Sequence, residues 1–96
     1  MPFEVEVKAS LTAENTFSDW IEFRGIGEQN CVIEAGGSFI GTLTAQTRSV
    51  NGSIIDLEDF TVPFSRKAES VGSCDFRMGF KTGNFTSGQA NVVLRR

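Results

Sequence analysis

A period of two governs what this chain can fold into. Phe76, Met78 and Phe80 alternate with Asp75, Arg77 and Lys81, and Ala90, Val92 and Leu94 repeat the pattern further on. Successive side chains of a strand point to opposite faces, so such alternation specifies a strand with one face buried. Phe3, Val5 and Val7 do the same against Glu4, Glu6 and Lys8. No window of helical length carries a convincing 3.6-residue period. In between, "FSDWIEFRG" carries Trp20, Ile21 and Phe23 ahead of Gly25 and Gly27, and "QNCVIEAGG" predicts a short strand ending at a Gly36-Gly37 turn. "SFIGTLTAQTRSV" is rich in β-branched residues suited to a pleated surface. Asn51-Gly52 predicts a two-residue hairpin turn, and Pro63 stops the return strand "SIIDLEDFTV". "SRKAESVGS" is expected to be a polar connection with room for one helical turn, and "TGNFTSG" the turn of a closing hairpin. Seven or eight strands with regular turn signals predict an all-β protein. The expected architecture is a single small β-sandwich over residues 1–96, jelly-roll or immunoglobulin-like, with the strand order left open.

Ninety-six residues suffice for one small core. Nine Phe and one Trp, with no Tyr, are the core material, each buried ring removing about 150–250 Å² from water. The net charge is −3, and the only basic pairs are Arg66-Lys67 and Arg95-Arg96. That argues against nucleic-acid binding, which needs a basic face to displace counterions. The apolar runs are far shorter than the roughly 20 residues of a spanning helix. "MPFEVEVKAS" has acids where a secretory signal has a positive start and an apolar centre, so synthesis in the cytoplasm is expected. Cys31 and Cys74 then read as two buried thiols, with a disulfide as the alternative.

Catalytic chemistry is not legible. There is no His to activate a Ser or Cys nucleophile and no G-x-S-x-G elbow. "GIGEQN" imitates a dinucleotide loop for four residues but has Asn30 at the third glycine position and no helix to follow. Asp56, Glu58 and Asp59 read as a solvated sheet face rather than the opposed carboxylates of a glycosidase. Asn51 and Asn84 head "NGS" and "NFT" sequons, and both read as turn residues. The chain is therefore expected to be no enzyme and to need no cofactor or metal.

Binding surfaces are suggested where the alternation breaks. Ile40 follows Phe39, Ile55 follows Ile54, and Val93 follows Val92, so each pair places one apolar side chain on each face. One face makes the core, leaving Ile40, Ile54 and Val93 as candidate interface residues. Phe85, between Gly83 and Gly88, reads either as a ring folded over the open end of the sandwich or as an anchor for a partner. Arg95 and Arg96 are candidates to pair with acids on a neighbouring subunit.

"GGSFIGTLTAQTRSVNGSIIDLEDFT" followed by "FRMGFKTGNFTSGQANVVLRR" resembles a set of small proteins encoded among the structural genes of tailed phages. The matching positions are Gly36, Gly37, Gly41, Thr42, Arg77, Gly79, Lys81, Thr82, Gly83, Asn84, Phe85, Thr86, Ser87 and Gly88. The resemblance covers roughly residues 30–96 and departs at Ile54-Ile55, where an aromatic residue is often found in the group. It implies a virion component of β-sandwich type. The expectation drawn from it is a capsid decoration (cement) protein, made in the cytoplasm and bound to the coat protein at the capsid surface. Such a protein is expected to be a homo-oligomer, with a trimer the favoured form. The alternatives are a tail or neck component, or a carbohydrate- or receptor-binding module. A sugar-binding face usually offers exposed Trp or Tyr platforms, and this chain has one Trp and no Tyr.

Overall fold

The computed structural model describes residues 5–23, 28–49, 51–71 and 74–96. Among them are seven strands and no helix: β1 (Glu6–Leu11), β2 (Thr16–Phe17), β3 (Ile21–Phe23), β4 (Glu28–Ser49), β5 (Ile54–Phe60), β6 (Phe64–Val71) and β7 (Cys74–Arg95). All belong to one antiparallel sheet. The all-β expectation holds, and the architecture is sandwich-like.

Two strands of 22 residues, β4 and β7, organise everything else. They pair with each other from Val32↔Arg95 to Ser49↔Cys74. The other edge of β7 carries β1 along its C-terminal half, and β2 and β3 along its N-terminal half. The other edge of β4 carries β6 along its N-terminal half and β5 along its C-terminal half. A straight strand of 22 residues would be about 70 Å long at roughly 3.3 Å per residue. The longest dimension of the molecule is 39 Å, so the ribbon folds over on itself. One layer is β1, β7, β4 and β6; the other is β2 and β3, β7, β4 and β5.

The fold line lies where the β4–β7 register slips, between Ile40 and Leu43. Gly37 and Gly88 flank it with φ of +90° and +94°, a region side chains rarely adopt. A Cβ on Gly88 would also collide with the Ser38 carbonyl. Bulges of this kind bend a strand and increase its twist, which allows one strand to serve two layers.

Three sequence expectations are corrected here. "TGNFTSG" is not a hairpin turn: β7 runs through it, and its two alternating halves pair with different parts of β4 rather than with each other. Gly36-Gly37 likewise bends β4 instead of ending it, and "SRKAESV" is strand β6 rather than a connection. The Asn51-Gly52 turn does join β4 to β5, but within a connection of four residues, 50–53, rather than two. The Ser49 N–H donates to the Ser53 carbonyl and the Gly52 N–H to the Ser49 carbonyl, with Gly52 at φ +90°. The readings on Phe3, Gly25 and Gly27 lie outside the described residues.

The register read from the alternation survives these changes. Phe76, Met78, Phe80, Ala90, Val92 and Leu94 are all buried, together with Leu11, Ile21, Phe23, Ile33, Ala35, Leu43 and Ala45. Phe23 meets Phe76 edge-on at 5.3 Å between ring centres, and Phe80 meets Phe85 at 4.8 Å and Phe39 at 5.7 Å. Cys31 is buried and Cys74 half-buried, and neither forms a disulfide. Burial pushes the Cys31 thiol up to about 11.

Candidate functional site

The outer face of the first layer is a charged lattice. Register places Lys8, Val93, Glu34 and Ser65 in one row, and Glu6, Arg95, Val32 and Lys67 in the next. Arg95 donates to Glu6 and to Glu34, each at 2.7 Å, and Lys8 lies 3.3 Å from Glu6. Val93 is half-buried within this lattice and lines a shallow depression of about 260 Å³ with Lys8, Ser10 and Asn91. Arg95 is thus engaged within its own chain by Glu6 and Glu34. The Arg96 backbone exchanges hydrogen bonds with Val5, at 3.2 and 3.0 Å, and its guanidinium lies 6.0 Å from the Phe23 ring.

The outer face of the second layer is built from alternating cations and rings. The Arg77 guanidinium lies 4.1 Å from the Phe17 ring centre and 4.4 Å from that of Trp20; Arg48 lies 4.3 Å from Trp20. Contacts of this type contribute about 0.5–2 kcal/mol each, more where water is excluded. Gly79 makes room: its absent side chain would occupy the space of the Phe17 ring. Arg48 donates Nε and Nη2 to Asp75 at 3.0 and 2.7 Å, and Arg77 donates Nε to Gln46 at 2.9 Å. Gln46 in turn donates to Asp56, which also accepts from Lys81 at 2.7 Å. Burial and then the Arg48 charge hold Arg77 below the ordinary arginine value. The Trp20 ring is engaged by Arg48 and Arg77, so the face reads as a clamp on the segment between β2 and β3.

The β5 side differs from both. From Ile54 to Asp59 every residue is exposed, with no alternation, although β5 is paired to β4. Ile54, Ile55 and Leu57 are each at least half exposed, and Val62 in the following turn is 63% exposed. Leu57 falls at the slip in the β4–β5 register between Ala45 and Gln46. Asp59 accepts from the buried Thr44 hydroxyl, Glu58 pairs with Arg66, and Phe60 stacks on Phe64 at 3.6 Å.

Of the sequence candidates, Ile40 and Ile54 are exposed, at 64% and 50%. The Ile54-Ile55 pair departs from expectation, since neither member reaches the core. Phe85 is half-buried against Phe80 in the middle of β7, which favours the packing reading over an anchor. Ile55, Leu57 and Val62 were not singled out; the available signal was a strand sequence, "IIDLEDF", with apolar residues at both parities. Among the described residues no group of three or more His, Cys, Asp or Glu is placed to hold a metal. No protein-family model matches this chain, nor does a curated protein or a solved structure.

Proposed function

We propose that this protein is a non-enzymatic structural subunit that works by docking its β5 side onto a larger assembly. On this reading it serves as a decoration protein of a tailed-phage head, bound to coat subunits. The observation that carries the reading is β5 itself, a strand that buries neither face and leaves Ile54, Ile55 and Leu57 in water. Contiguous exposed apolar residues on a small domain are typical of surfaces that a partner covers. The phage assignment rests on the sequence resemblance alone. Many weak contacts suffice for such a subunit, because repeated attachment raises the effective affinity.

The test is co-sedimentation of the purified protein with empty tailed-phage capsids, for the wild type and for Leu57→Asp. Wild-type protein should pellet with capsids and the variant should stay in the supernatant. Wild type that ignores capsids at micromolar concentration removes the decoration reading.

A further inference from the structure

We propose that the β5–β6 side is also a self-association surface, on which β5 of one copy pairs with β6 of a second copy about a two-fold axis. The inference rests on the reading of this side as an assembly surface but does not depend on what else the assembly contains.

Both strands lie on the edge of β4 that β7 does not occupy, and among the described residues each pairs with β4 alone. Their other edges therefore present a row of backbone donors and acceptors. The two edges carry opposite charge. β5 has Asp56, Glu58 and Asp59 among its exposed apolar residues, and β6 begins with exposed Arg66 and Lys67. Like charges placed opposite one another are destabilising, so β5 against β5 and β6 against β6 are both disfavoured. β5 against β6 is favoured. Because the two edges sit side by side, one in each layer, a two-fold axis running between the layers forms that favourable pairing twice. Such an interface is self-complementary and closed.

Strand direction agrees. β5 and β6 each run antiparallel to their half of β4, and the ribbon folds over between those halves. An axis parallel to the strands then sets β6 antiparallel to the second copy's β5. The Glu58–Arg66 ion pair shows that the two strands leave the Phe60–Phe64 corner level with one another. Lys67 comes to the height of Leu57 in the other copy, with Asp59 as a diagonal neighbour within reach of a long side chain. Among the described residues Lys67 forms no ion pair, and Asp59 accepts from Thr44 while its charge also acts on Lys81. This pairing gives a dimer rather than the trimer expected from the phage resemblance.

The experiment is sedimentation equilibrium on the full chain, with thermal melts confirming that each variant is folded. Wild type should form a dimer at about 100 µM, weakened by added salt. Lys67→Glu should raise the dissociation constant by about tenfold or more, whereas Lys67→Arg should leave it unchanged. Asp59→Lys should weaken the dimer similarly; mixed with Lys67→Glu it should yield a hetero-pair tighter than either variant alone, since both cross-contacts regain opposite charges. If Asp59→Lys fails to fold through loss of the Thr44 bond, Asp59→Asn and the two Lys67 variants carry the decision. A wild type that stays monomeric, a trimer, or indifference to Lys67→Glu overturns the proposal. Capsid co-sedimentation is scored separately, so a monomer that still binds capsids refutes this pairing and leaves the docking function standing.

Discussion

β1 and β5 are both edge strands of this sheet, and they meet solvent in opposite ways. β1 alternates exposed and shielded residues and ends on Leu11, which is 4% exposed; β5 is exposed throughout until Phe60, and its Leu57 is 51% exposed. Both are hydrogen-bonded along their length to a central strand, so pairing does not separate them. What separates them is contact with the core. Leu11 is buried in the shared core, whereas none of Ile54, Ile55 and Leu57 joins it. A strand sequence thus becomes core or surface according to whether its apolar side chains reach that shared core.

The sharpest way to break this comparison is one substitution made in both strands. Leu11→Ala should cost about 2–5 kcal/mol, most of the margin of a domain this small, because it removes buried methyls and leaves a cavity. Leu57→Ala should lie within about 0.5 kcal/mol of wild type at concentrations where the chain is monomeric. Equal denaturant midpoints for the two variants would mean that β5 is as well covered as β1.

A smaller effect is expected on the outer face between the two strands. Arg48→Ala removes both guanidinium bonds to Asp75, a carboxylate only 6% exposed, and one cation against Trp20. The expected loss is about 1–3 kcal/mol by chemical denaturation. Arg66→Ala, on the exposed pair with Glu58, should cost less than about 1 kcal/mol.

Alkaline titration probes the core. Cys31 is held near 11 by burial, above the value of about 8.5 for an unfolded thiol. The folded state therefore keeps a proton that the unfolded state releases. Stability from this group is fully present below about pH 8.5 and is lost as pH rises towards 11. Cys31→Val should flatten that part of the stability profile, measured as melting temperature against pH.

The smallest effect concerns the ion pair that ties β5 to β7. The Lys81 bond holds Asp56 below the usual carboxylate value, and the Asp56 bond raises Lys81. The Asp56 contribution is present above about pH 4 and fades as acid protonates the carboxylate; the Lys81 contribution is present below about pH 10 and fades above it. Both groups are solvated, so Lys81→Met should change the acid limb of the profile only slightly and leave the neutral region unchanged.

The sequence by itself determined which side chains face inward on the well-covered strands. The parity of Phe76, Met78 and Phe80 and of Ala90, Val92 and Leu94 is a local property, and all six are buried. It also determined that Asn51-Gly52 would reverse the chain, because Gly52 tolerates the positive φ that the turn requires. Surface candidates were partly legible for the same reason: Ile40 and Ile54 break the alternation, and both are exposed. Only the tertiary structure decided where strands end. Gly37 and Gly88 can close a hairpin or bend a continuing strand, since positive φ serves both. The choice falls to β4 and β7, whose residues on either side of the bend find hydrogen-bond partners in each other, far apart in sequence. The exposure of Ile55 and Leu57 was decided the same way. Their period carries no record of whether the core reaches β5, because that depends on how the ribbon folds over.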